Sequence, residues 1–234
     1  MTTIEATSPL IDSTPNRHAD ERRMLFGGVL LGGCYLLATV FIMVFFATSH
    51  PPMDATPEAA ARGFHEAASM VGIGTWLALL PLPFGLMFLG GLASVIRRTA
   101  GPASATAALV AGATALAVAA LGSVVSAVTP AIGAEDQSAA AGAVVKALDG
   151  VMPLATAASG FPRALLVVIA LLALSRAGLI GRGARGFSWL LVVLSVAGTA
   201  TYLAQGFFPL AAVSALLFAA WAASVAVVLR RRLG

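Results

Sequence analysis

The stretch MLFGGVLLGGCYLLATVFIMVFFA, residues 24–47, runs for 24 residues without an acidic or basic side chain. As an α-helix rising about 1.5 Å per residue it would be about 36 Å long, enough to cross a hydrocarbon core about 30 Å thick. Five more stretches are similarly apolar, one of them interrupted by a single arginine: Gly72 to Ile96, Ala103 to Val128, Pro153 to Leu174, Phe187 to Gln205 and Phe207 to Leu229. The pattern predicts an all-α polytopic membrane protein of six transmembrane helices whose main partner is the lipid bilayer. Composition agrees: 59% of residues are hydrophobic and only 10% charged, against about 25% charged in an average soluble domain.

The arginines set the threading. Arg17, Arg22 and Arg23 precede the first stretch, Arg97 and Arg98 follow the second, Arg176, Arg182 and Arg185 follow the fourth, and Arg230, Arg231 and Arg232 follow the sixth. All four groups share one side, which the positive-inside rule makes the cytoplasm, so both termini are expected there. Six carboxylates, Asp54, Glu58, Glu66, Glu135, Asp136 and Asp149, fall in the two long loops of the other side. A pI near 10.2 might suggest nucleic acid, but the basic residues stand in twos and threes at helix ends instead of lining one surface, so no nucleic-acid role is expected.

Residues 1–23, rich in Thr, Ser and Pro with mixed charge, read as a flexible cytoplasmic tail, and 24–234 as the six-helix transmembrane domain. The first apolar stretch is longer than a signal-peptide core, so Ala47-Thr48-Ser49 reads as part of an uncleaved first span. In the first outer loop Thr56 can cap a helix with Pro57 at its first position and Glu58 in its first turn. Counting back 21 residues from Arg97 places Trp76 about 31 Å away, at the outer headgroup level. The second outer loop predicts a short helix over Glu135 to Leu148. The connection Gly206 to Pro209 is short enough to make the last two spans an antiparallel hairpin.

Pro81 and Pro83 remove backbone donors inside the second span and Pro162 does so in the fourth, so both helices should break there. Pro83 to Arg98 and Pro162 to Arg176 form a weak internal echo. Beside Pro162 stands Arg163. Only 12 residues separate it from Arg176, too few to cross a bilayer, so Arg163 must enter the membrane about 20 Å from the inner boundary. Glu66, Asp149, Glu135, Asp136 and Gln205 are its expected partners, and intramembrane charge flags function. A snorkelled arginine that fixes the outer helix end is the structural alternative.

His65 and Glu66 are the one adjacent pair with acid-base potential, and with Arg163 and Gln205 they complete the candidate substrate-binding residues. No catalytic residues are assigned: Ser159-Gly160 lacks a general base nearby. No metal or other cofactor is expected, because His50, His65 and a few carboxylates make a poor ligand set and no histidine lies in a span to hold haem. Cys34 stands alone, so no intrachain disulfide is possible. Alanines repeat every fourth residue from Ala103 to Ala119 and from Ala211 to Ala223, and Gly28 and Gly32 make a GxxxG pair, all suited to close helix association within the chain, with a membrane-protein partner or in a homo-oligomer.

The order of elements, together with Gly160-Phe161-Pro162 through Gly178-Leu179-Ile180 to Gly198, resembles a bacterial family of uncharacterised six-helix membrane proteins, a domain of unknown function. The resemblance implies a six-helix fold in a bacterial cytoplasmic membrane, with no activity, cofactor or site residue attached. Two functions remain: an accessory or interaction component of the membrane, without enzymatic activity, or a small carrier whose outward cavity between the Pro-broken second and fourth helices binds an anionic group through Arg163.

Overall fold

A computed structural model describes residues 14–52 and 54–232, except for the side chains of residues 14–18 and 205. Among the described residues six helical segments are long and apolar enough to cross a membrane: Ala19–Thr48, Ala68–Ala100, Pro102–Glu135, Ala139–Arg176, Arg182–Tyr202 and Phe208–Arg232. The protein is a multi-pass membrane protein. Its outer surface fits that solvent, for Leu36, Met43, Val110, Leu121 and Val193 are all more than half exposed.

Helix α1 covers Thr14–Thr48, α2 Pro57–Glu66, α3 Ala68–Leu79, α4 Pro81–Ala100, α5 Pro102–Ser126 and α6 Thr129–Glu135; α7 covers Ala139–Asp149, α8 Val151–Ala158, α9 Gly160–Arg176, α10 Arg182–Gly198 and α11 Phe208–Arg232. The proline-bearing spans are bent rods. Leu80 joins α3 to α4 with φ −55° and ψ −35°, and Ser159 joins α8 to α9 with φ −65° and ψ −12°. Both joints keep helical dihedrals, so each break is a kink, as a proline without an N–H produces. The Ser159 hydroxyl donates to Thr156 O at 2.7 Å, occupying a carbonyl beside its break.

Helix α1 begins at Thr14, ten residues before the apolar stretch that opens at Met24, so residues 14–23 of the expected tail are helical; residues 1–13 lie outside the described residues. A tertiary contact explains the extension. The Glu21 carboxylate, 3% exposed, accepts hydrogen bonds from Ser94 Oγ and from Arg98 Nη2, both at 2.6 Å, which fastens α1 to α4 at the arginine-rich end.

Close packing is concentrated in that half. Trp221 of α11 stacks with Phe218 at 5.7 Å and meets Phe88 of α4 edge-on at 6.1 Å, and its indole N–H donates to Ser188 Oγ at 3.0 Å. Leu25, Leu92, Ile96, Leu166, Leu174 and Leu229 fill the space around them. The GxxxG pair serves this core: a methyl on Gly28 would stand 2.8 Å from Ala226 Cβ, and one on Gly32 would stand 3.1 Å from Ala223 Cβ. Thus α1 presses on α11 along Ala219, Ala222, Ala223 and Ala226.

The opposite end carries a lid of α2, α6 and α7. Thr56 caps α2 by accepting from Ala59 N at 3.4 Å, with Pro57 first in the helix, as the sequence predicts. The second lid segment differs from expectation: Glu135 ends α6 and a new helix starts at Ala139. Asp136 causes the division. Its carboxylate accepts from Ser138 Oγ at 2.7 Å and from Ser138 N at 2.8 Å, while Ser138 Oγ accepts from Ala141 N at 3.3 Å to cap α7. Such local bonds compete with a continuous helix.

Two outcomes test the lid. A methyl on Gly142 would overlap the carbonyl oxygen of Pro57, so Gly142→Ala should cost about 1–3 kcal/mol; an unchanged midpoint in thermal unfolding of the detergent-solubilised protein would refute the α2–α7 packing. The Ser138 hydroxyl, and then its N–H, hold the Asp136 carboxyl below its ordinary range. Because the folded value is depressed, this contribution is fully present above the ordinary value of about 3.9 and disappears as pH falls through the lower, folded value. Asp136→Asn should therefore weaken the fall in stability across that acidic window, read as midpoint against pH.

Candidate functional site

Three helices meet around Arg163. Gly160 lets α9 lie against the α10 backbone, since a methyl there would meet Ser195 O, and Gly198 lets α10 lie against α11, where a methyl would stand 2.7 Å from Ala211 Cα. One turn from each contact, the side chains converge. Arg163 Nε donates to Ser195 Oγ at 3.2 Å and Nη2 donates to Ser214 Oγ at 2.7 Å; Ser214 in turn donates to Ala211 O at 2.8 Å. Arg163 is 4% exposed, and both serines are fully buried.

The guanidinium has five N–H donors, and the two serine hydroxyls are its hydrogen-bond partners among the described residues. No carboxylate pairs with it there. The sequence points to acidic partners, but the structure uses them elsewhere: Asp149 pairs with His50, Asp136 accepts from Ser138 ahead of α7, and Glu66 and Glu135 are exposed on the lid. The burial also replaces the snorkelled alternative. Two neutral hydroxyls solvate part of a cation without cancelling its charge, and an uncompensated buried charge is costly. Tyr35 of α1 is the group within electrostatic reach.

Tyr35 links the guanidinium to a chain of cavities. One lies under the lid, bounded by Phe45, Phe64, Val71, Asp149 and Met152. It shares Ile42, Ala78, Ser123 and Met152 with a second, deeper space that reaches Tyr35, Thr39 and Thr156 behind Pro81. A third, of about 660 Å³, shares Tyr35, Thr39 and Thr156 with the second and opens sideways between α1 and the start of α11. Residues of the α3–α4 and α8–α9 spans, among them Ala78, Pro81, Met152 and Thr156, line this interior space together with α1. Arg163 itself lines none of the three; it follows Thr156 by seven residues, beyond the kink at Ser159.

The lid end of this space is latched. His50, its side chain 6% exposed, donates from Nδ1 to Pro51 O at 2.6 Å and points Nε2 at Asp149 Oδ2, 3.3 Å away. Its ring stacks on Phe46 at 4.3 Å and meets Phe45 and Phe64 edge-on. Both ring nitrogens face acceptors.

The other candidates lie apart from Arg163. His65 and Glu66 are exposed at the end of α2. Gln205 falls in a short 3-10 turn, Gln205–Phe207, with its side chain outside the described residues. Pro81 is buried at the start of α4, Pro83 is exposed and Pro162 is half-buried in the first turn of α9. Among the described residues no group of three or more His, Cys, Asp or Glu could hold a metal ion. Sequence reasoning passed over Ser195, Ser214 and Tyr35; the signal available was their polarity within apolar stretches, which does not say which helices meet.

A charge held by neutral partners has a thermodynamic signature. Replacing a buried ionic group with an apolar one of similar volume is often neutral or stabilises by about 1–4 kcal/mol. Arg163→Met should therefore raise the unfolding midpoint of the detergent-solubilised, ligand-free protein. A large drop would mean that Arg163 serves mainly as a clamp between α9, α10 and α11.

No family model matches the chain, and no curated protein and no solved structure shows significant similarity to it.

Proposed function

We propose that this multi-pass membrane protein is a small carrier that binds a molecule with an anionic group in the interior space between its kinked second and fourth spans, with Arg163 receiving the anion. The reading places the arginine-rich face in the cytoplasm of a bacterium and the lid outside, as the charge pattern predicts. One observation carries it: the guanidinium is 4% exposed in a bundle of apolar helices, and the hydrogen-bond acceptors within its reach are two neutral hydroxyls. A low-dielectric site that holds a positive charge without a counter-charge is prepared for an anion, because the ligand supplies the compensation that the fold withholds. Such an arrangement trades stability for function.

The accessory reading rests on the small size of the chain, the few ionisable groups in its spans and small-residue faces suited to helix association. On α11 that face is largely taken up within the chain, by α1 at Ala219, Ala222, Ala223 and Ala226 and by α10 at Ala211. Carriage by the buried cation is therefore the better supported of the two.

Thermal unfolding in detergent with added acetate or inorganic phosphate, at constant ionic strength against chloride, tests the proposal. A wild-type midpoint that rises saturably with one of these anions is expected, by about 2.7 kcal/mol of stabilisation at 100 times the dissociation constant. Arg163→Met should abolish the rise and Arg163→Lys should weaken it, since a single ammonium cannot reproduce the planar fork. Identical responses in wild type and Arg163→Met would overturn the assignment.

A further inference from the structure

We infer that the ligand is a single-chain anionic amphiphile drawn from the bilayer, which enters sideways between α1 and α11 with its head toward Arg163 and its chain in the lateral opening. The inference rests on the carrier reading above and adds the chemical class and the route.

The opening lies toward the lid-side ends of α1 and α11. Met43 and Phe46 of α1, 63% and 41% exposed, and Phe208, the first residue of α11, form an apolar rim on membrane-spanning helices, a surface suited to contact with lipid. A space of about 660 Å³ falls in the range of about 300–1,000 Å³ common for ligand pockets. Its walls offer water little. The Thr39 hydroxyl donates to Tyr35 O at 2.9 Å and the Thr156 hydroxyl to Met152 O at 2.9 Å, so both threonines satisfy their donors within their own helices and present largely apolar surface.

Polarity increases inward along one line. Tyr35 lines the opening and is within electrostatic reach of the guanidinium, and its hydroxyl has no hydrogen-bond partner among the described residues. An amphiphile fits this gradient, with its chain against Met43, Phe46 and Leu216 and its charged head beside Tyr35 and Arg163. At the other end the His50–Asp149 contact and three phenylalanines gather beside the lid-side cavity. The lateral mouth faces a reservoir of such molecules, and charge complementarity selects the anionic ones.

The full chain, reconstituted in phosphatidylcholine vesicles containing a diazirine-bearing palmitate, provides the test, with label positions mapped by mass spectrometry. Label should concentrate on Met43, Phe46 and Phe208 relative to Val110 and Val193 on other lipid-facing surfaces, and excess palmitate should compete it away. Arg163→Met should lower the rim labelling about tenfold, as loss of one charge-assisted contact implies. Ala212→Trp or Met43→Trp, which fill the mouth, should lower it too, while the stabilisation by acetate or phosphate persists. Even labelling of all lipid-facing surfaces, or rim labelling indifferent to all three substitutions, would overturn the amphiphile. If acetate or phosphate still stabilises wild type but not Arg163→Met, the carrier reading survives that result; if no response depends on Arg163, both fall.

Discussion

Hydrocarbon offers no hydrogen-bond partners, and every feature of this protein answers to that constraint. Backbone groups must find their partners within each segment, so the spans are helical and the breaks at Leu80 and Ser159 keep helical dihedrals instead of unwinding. Side chains follow the same rule. Thr39, Thr99, Ser104, Thr156, Ser188 and Ser224 each donate to a carbonyl one turn back in their own helix, which lets polar residues sit in apolar spans at little cost. Arg163 cannot do this. A guanidinium has more donors than one helix turn can accept and a charge that no hydroxyl cancels, so it is where the constraint is met least completely and where a ligand has most to contribute.

The bundle is asymmetric along the membrane normal. Toward the arginine-rich end, glycine and alanine bring α1, α4 and α11 into close contact, large side chains fill the centre, and Glu21 fastens α1 to α4 through Ser94 and Arg98. Toward the lid, connected cavities run from Phe64 and Asp149 inward to Tyr35, the group within electrostatic reach of Arg163. The His50–Asp149 contact joins the end of α1 to the end of α7 above those cavities.

Much of this was legible in residues taken one segment at a time. The helix start at Thr56-Pro57 and the kinks near Pro81 and Pro162 follow from local chemistry and stand where that chemistry puts them. The division of the second lid helix was also local, encoded in Asp136 and Ser138, yet the alanine-rich run around them masked it. The early start of α1 was not legible, because Glu21 reads as a tail residue until Ser94 and Arg98 are brought to it from more than 70 residues away. The carboxylates proposed for Arg163 share its side of the membrane, but residence on one side is a weaker condition than contact.

The sequence by itself determined the solvent, the helix count and the presence of a charge inside the membrane, since transfer into hydrocarbon is a property summed along each segment and needs no knowledge of its neighbours. Tertiary structure alone decided what that charge meets. Ser195 and Ser214 lie 32 and 51 residues from Arg163 in the chain. They reach it because glycines at 160 and 198 let three backbones approach, a condition set by helix packing and invisible to any single helix.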